Sequence, residues 1–339
     1  MASFGTFGND LYTGARSVDI VGRRRTWYLI ALIAVVLSVA IPFLRGGFQL
    51  GIEFTGGSEF QVAQPAELDQ QVATDTVEDI VPESSPRVSV VGGDTIRIQT
   101  SQLEPAQNND VADALATAYD VPVDQVTASY IGASWGQDIT AQALKGLLVF
   151  LALAFVGMML YFRTWKMSVA AMVALLHDLV LTAGIYGIIG FEVTPAAVIG
   201  FLTILGYSLY DTVVVFDKIR ENTAEDGGGS RRTFAESVNL AVNQTLVRSI
   251  NTSVVALLPV AGILFIGAFI LGAGTLRDIA LALFIGILVG TYSTIFLASP
   301  LYATLRMRED GVQEQDARKL ERRGRDHDDQ AAPAVVDAP

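Results

Sequence analysis

Apolar residues run together six times along this chain, and each run is long enough to cross a bilayer. The runs cover residues 27–44, 143–162, 169–189, 196–216, 249–271 and 279–301. A membrane helix needs roughly 20 such residues. Between the first and second runs the pattern shortens. Residues 58–63, 87–91, 95–100 and 126–131 read as strands, the middle two forming a hairpin about Gly92-Gly93-Asp94. Residues 65–80 carry Leu68, Val72, Val77 and Ile80 at helical spacing, and the alanine-rich stretch 110–119 reads as a second helix. The order β-α-β-β-α-β predicts a small ferredoxin-like α+β domain.

The pattern therefore predicts a polytopic α-helical membrane protein with six transmembrane helices and one external α+β domain between helices 1 and 2. Its divisions are an N-terminal segment 1–25, helix 1 at 26–45, the external domain at 46–141, helices 2–6 within 142–305 and a tail at 306–339. A connection at 218–247 holds a flexible break, Asp226-Gly227-Gly228-Gly229-Ser230, and a short amphipathic helix at 233–242 expected to lie along the membrane surface. The charged tail is expected to be disordered. Arg23-Arg24-Arg25 before the first run resembles a signal-peptide flank, but the run is long and no A-x-A site follows, so it reads as an uncleaved anchor.

Basic residues set the orientation. Arg16 and Arg23–Arg25, then Arg163 and Lys166, then Lys218, Arg220, Arg231 and Arg232, then Arg306 and Arg308 flank the spans. With six spans all four groups fall on one side, which the positive-inside rule makes cytoplasmic, with both termini inside.

Composition narrows the class. Of 339 residues, 51% are hydrophobic and 17% charged, against about 25% charged in soluble domains. The net charge of −12 argues against nucleic acid. There is no cysteine, which excludes disulfides, thiol nucleophiles and cysteine metal sites, and with only His177 and His327 the sequence argues against a multi-histidine metal site. No G-x-x-x-x-G-K-[ST] loop is present, so nucleotide hydrolysis is not the energy source. No catalytic constellation stands in the external domain, which reads as a binding or lever domain rather than an enzyme.

The chemistry lies inside the spans. Asp211 interrupts the fourth run. A charge deep in a membrane helix costs about 2.5–3.5 kcal/mol on insertion scales, and such groups serve protons, ions or substrate. Tyr207, Ser208 and Asp211 share one helical face, with Thr212 adjacent. His177 and Asp178 lie mid-way along the third run, and Arg248, Asn251 and Thr252 form a stripe near the start of the fifth. Burial and a nearby cation act on a carboxylate in opposite senses, so Asp211 held between them changes protonation when its surroundings move. The alternative is a static Asp211–Arg248 pair that fixes helix packing. Gly200, Gly206, Gly286 and Gly290 suit close helix packing.

Four segments then carry a resemblance. These are Gly51-Ile52-Glu53-Phe54-Thr55-Gly56-Gly57, Leu176-His177-Asp178, the run from Gly206 through Asp211 to Asn222, and Asn243-Gln244-Thr245-Leu246-Val247-Arg248-Ser249-Ile250-Asn251-Thr252-Ser253. In this order, over roughly residues 15–305, the chain resembles the SecF family of bacterial protein-export subunits, a branch of the RND superfamily. Family patterns more often place Asp at Glu53, Asn at Tyr210 and Pro near Ala133. The resemblance implies an RND-type half, partnership with SecD beside the SecYEG channel and its accessory subunits, contact with exported unfolded polypeptide and membrane lipid, and a place in the bacterial cytoplasmic membrane. It implies no cofactor, only a proton gradient, and carries the proton-handling role onto Asp211 and Arg248. Sodium is the alternative ion, with Ser208 and Thr212 as further oxygen donors. A half-transporter exporting a small molecule or lipid is the competing function, and a scaffold with structural charges the third.

Overall fold

The structure, a computed structural model, describes residues 4–45, 47–84, 86–91, 94–225, 232–268 and 274–331. The Gly92-Gly93 turn, the 226–230 break, the end of the fifth run and residues 332–339 lie outside them. Among the described residues six helices are long and apolar enough to cross a membrane. They are α2 (Arg24–Leu44), α6 (Ala133–Phe162), α7 (Trp165–Ile189), α8 (Pro195–Glu225), α9 (Phe234–Gly262) and α10 (Gly274–Ser293). A π-helical turn, Ile263–Ala268, extends α9, and another, Thr294–Ala298, joins α10 to α11 (Ser299–Arg306). A further helix, α1 (Phe4–Thr13), precedes them, and α12 (Asp310–Ala331) follows.

Between α2 and α6 the chain makes a single turn α3 (Ile52–Thr55) and then β1 (Gly57–Ala63), α4 (Gln70–Ile80), β2 (Arg87–Val91), β3 (Thr95–Thr100), α5 (Pro105–Ala118) and β4 (Val126–Ile131). The strands pair antiparallel in the order β2-β3-β1-β4, the arrangement expected of a ferredoxin-like domain. Alternation explains the two faces of this sheet. Phe60, Val62, Ile96 and Ile98 are fully buried against Ala73, Val77, Val111 and Leu115 of α4 and α5. Glu59, Arg97 and Gln99 take the other face. Helix α4 starts later than residue 65 because Pro65 leads in and the Asp69 carboxylate caps it, accepting from the Gln71 N–H at 2.9 Å. Helix α5 starts earlier than residue 110 because Pro105 suits a first helical position.

Small residues let the core spans touch. A Cβ on Gly200 would come within 2.6 Å of the Ala282 Cβ, and one on Gly286 would overlap Ile204, so both glycines serve the α8–α10 contact. Gly206 faces open space and has no such role.

Two expectations are corrected. Residues 233–242 are not a separate surface helix. Thr233 and Glu236 form a capping box, with the Thr233 N–H donating to Glu236 Oε2 at 2.8 Å and the Glu236 N–H to Thr233 Oγ1 at 3.4 Å. No glycine or proline then interrupts the chain before Pro259, so α9 runs straight into the span. The tail is not disordered over residues 310–331. Arg323 grips Glu236 with two bonds, at 3.0 and 2.6 Å, and Asp316 accepts the Phe234 N–H at 2.8 Å. Glu309 reaches Lys166 at 2.6 Å. Specific partners on the bundle thus order a segment whose composition alone does not.

The described N-terminal segment and α12 both pack against α9 on one face of the bundle, here termed the base. Gly8 of α1 abuts Val247, and Val18 donates to Asn243 Oδ1 at 2.7 Å while Ile20 and Val21 donate to Asn239 Oδ1 at 2.9 and 3.1 Å. The sheet domain sits at the opposite face. There Val193, between α7 and α8, pairs with the chain entering the domain: its N–H donates to Gln49 O at 2.7 Å and Gly51 N–H donates to Val193 O at 3.0 Å.

Candidate functional site

The intramembrane polar residues gather where α7, α8, α9 and α10 meet. Asp211 of α8 is 5% exposed. Its Oδ1 accepts from Ser249 Oγ of α9 at 2.9 Å, and its Oδ2 has no partner. Asp178 of α7 is fully buried. Its Oδ2 accepts from Ser208 Oγ of α8 at 2.6 Å, and His177 Nδ1 lies 3.2 Å from its Oδ1. His177 Nε2 is buried without a partner, and so is the Tyr207 hydroxyl.

Ser208 and Asp211 are three residues apart on α8, so one helix face carries contacts to both α7 and α9. A ladder of hydroxyls continues it. Thr212 Oγ1 and Thr294 Oγ1 are 3.0 Å apart, and Ser253 Oγ and Thr291 Oγ1 are 2.5 Å apart. Glycine at 290 makes room for the upper node: a Cβ there would lie 3.2 Å from the Ser208 Cβ and 3.5 Å from Asp178 Oδ2.

The expected residues divide. Asp178, His177, Ser208, Asp211 and Thr212 come together. Arg248, Asn251 and Thr252 do not join them. Arg248 is exposed, and among the described residues no ion pair links it to Asp211. Successive helix positions differ by about 100° in direction, so with Ser249 turned to Asp211 its neighbour Arg248 turns away. Thr252 Oγ1 is spent on Arg248 O at 2.8 Å, and Asn251 is exposed. Sequence reading missed Ser249, Ser253, Thr291 and Thr294. The i,i+4 pair Ser249–Ser253 inside an apolar run was the available signal.

A second polar node stands where the sheet domain meets the bundle. Arg97 Nη1 lies 2.8 Å from Glu192 Oε2 and its Nε 3.5 Å from Glu59 Oε1, with these side chains only about 15% exposed. Gln99 Nε2 donates to Glu59 Oε2 at 2.9 Å and also to Glu192. Burial raises the pKa of nearby Glu53, and the Glu192 and Glu59 charges add to the rise, outweighing the Glu53 backbone hydrogen bond and Arg97. Beneath it, Asp278 at the start of α10 accepts from Thr194 Oγ1 at 2.9 Å, and its carbonyl accepts from Tyr186 OH at 2.6 Å. No group of three or more His, Cys, Asp or Glu side chains among the described residues is arranged to hold a metal.

A six-helix bundle with buried, serine-bound carboxylates and a clamped external sheet can bind and release a proton and pass a displacement to that sheet. Comparison with known proteins agrees on the architecture. Residues 111–308 match the family described as protein export membrane protein SecD/SecF, C-terminal, and residues 44–63 match the SecD/SecF GG motif. The protein translocase subunit SecF of Streptomyces coelicolor is 41% identical, over 99% of this chain and 94% of the relative. That of Mycobacterium tuberculosis is 42% identical, over 94% of this chain and 74% of the relative. The crystal structure of SecDF, a translocon-associated membrane protein from Thermus, superposes with a TM-score of 0.75 at 29% identity over 86% of this chain. This chain spans 39% of that SecDF polypeptide.

Proposed function

Because the chain belongs to the SecD/SecF family of protein-export membrane proteins, we propose that it is an accessory subunit of the Sec translocase in a bacterial membrane, and that with SecD it uses the proton motive force to drive or complete export. Its similarity to one part of a SecDF chain supports SecD as the partner. The SecYEG channel, the exported unfolded chain and surrounding lipid complete the assembly. The base is the cytoplasmic face, carrying both termini, and the sheet domain stands outside.

One observation carries the coupling. Asp211 is enclosed by the bundle, yet it spends one oxygen on a serine and leaves the other without a partner. A carboxylate fixed in a permanent ion pair has no reason to change charge. One held by a hydroxyl alone takes or loses a proton without breaking a salt bridge. Moving one charge through the membrane potential supplies about 2.3 kcal/mol per 100 mV, enough to bias two states that differ by a few kcal/mol. Asp178, with Ser208 and His177, is the second proton-holding group. Arg248 acts at a distance, by its charge, on the lower side of Asp211. Helix α8 then carries the motion: it runs from Pro195, beside the Val193 joint, down to Asp211, about 24 Å at 1.5 Å per residue.

The test is export of a reporter protein into inverted vesicles with and without an imposed proton gradient. Wild-type protein should export faster with the gradient, and the Asp211→Asn variant should not respond while still co-purifying with SecD. An Asp211→Asn protein that responds like wild type sinks the coupling role. A sodium gradient that substitutes for protons would move the reading to sodium.

A further inference from the structure

Between the base ends of α8 and α9 lies a cavity of about 540 Å³ that the coupling residues do not account for. Its walls include Asp217, Lys218 and Glu221 of α8 and Arg248 of α9, with Val213, Val214 and Thr245 between them. Tyr12 of α1 and Tyr161 of α6 face it from the sides. The placement matters. Val213 is two residues beyond Asp211 on α8, and Arg248 immediately precedes Ser249 on α9. The cavity therefore reaches to within one helical turn, roughly 5 Å, of the Asp211–Ser249 contact on both helices. Its outer part is charged and lies toward the base.

We propose that this cavity is the aqueous vestibule through which the proton of Asp211 leaves, and that Asp217 is the carboxylate that receives it. The inference rests on the coupling reading above. The charge arrangement singles out Asp217. Glu221 is already neutralised, since Lys218 Nζ donates to its Oε1 at 2.7 Å. Asp217 is exposed and makes no ion pair among the described residues. A cavity of this size and polarity holds several waters, each with polar partners. The O–H bond of Asp211 breaks, the proton crosses the water as hydronium, and an O–H bond forms on Asp217 before release to the base side. Arg248, facing the same space, is the positive charge nearest the carboxylate that remains on Asp211 once the proton has left.

The absence of cysteine makes the test direct. Thr245→Cys, Val214→Cys and, as a reference at the mouth, Glu221→Cys are made in the full chain, co-expressed with SecD, and exposed to a membrane-impermeant maleimide. Applied at the base side, the reagent should modify Thr245→Cys and Val214→Cys at rates comparable with Glu221→Cys; applied from the sheet-domain side, it should modify none. Failure of both inner cysteines to react while Glu221→Cys reacts overturns the vestibule. In the export assay Asp217→Asn should slow gradient-driven export several-fold with SecD binding intact, and Asp217→Glu should restore it. An Asp217→Asn protein with wild-type response overturns the role of Asp217. The coupling reading is scored separately by Asp211→Asn. If that variant exports normally, the role of Asp217 falls with it; if it is inert and the inner cysteines are unreactive, only the vestibule falls.

Discussion

At the scale of single residues, the contrast between positions 248 and 249 decides the site. Arginine attracts notice in a sequence because a charge in a membrane helix is costly, and a serine there does not, because a hydroxyl can satisfy itself on its own helix. Hence Asp211 was legible and its partner was not. The Ser249 hydroxyl is the only group holding Asp211 Oδ1 among the described residues. Replacing Ser249 by alanine leaves a buried acceptor unmade, at a cost of about 1–3 kcal/mol. The Ser249→Ala protein should therefore melt at lower temperature in detergent and lose gradient response, while Ser249→Thr keeps both. Thermal unfolding and the vesicle export assay check this together; a variant with unchanged melting and export removes Ser249 from the site.

At the scale of elements, hydrophobic run length located all six spans and period-two alternation located all four strands, since both follow directly from which faces are buried. Helix ends were less legible. The start of α9 depends on a capping box that joins a polar stretch to an apolar one, and α12 depends on partners far away in sequence. Glu309, between α11 and α12, illustrates the second case. Burial works to raise its pKa, but Lys166 and Arg306 outweigh it and hold the carboxyl below its ordinary range. A carboxyl lowered by folding adds stability at neutral pH and gives it up as the pH falls through its folded value. Docking of α12 should therefore loosen on acidification below about pH 4. The protection of the α12 amides, taken relative to their intrinsic exchange rate at each pH, should fall over that interval in wild type. In Glu309→Gln protection should be reduced already at neutral pH and vary less with acid. Protection that does not change with pH in wild type contradicts the arrangement.

At the scale of the whole molecule, α7 and α8 hold both the buried carboxylates and the mount of the external domain. Asp178 and Asp211 lie within them, and Glu192 and Val193 join them to the sheet. That connection was not legible in sequence, because a two-residue bridge across about 140 positions leaves no periodic trace. It is also made in an unusual currency. The side-chain part, Arg97 with Glu192, is open to any substitution, but the Val193 part is main chain to main chain. Leu50 and Val193 can change identity without removing it, whereas a side chain at Gly51 would press on the Glu53 carboxylate, so drift at the first two positions does not wear this joint away. Only proline removes the donor. Val193→Pro should free the sheet domain, seen as faster proteolysis between residues 45 and 57, and uncouple export from the gradient, whereas Val193→Ala should do neither. A lineage of such proteins can therefore rewrite the surface of the lever at will and still inherit the same hinge pin.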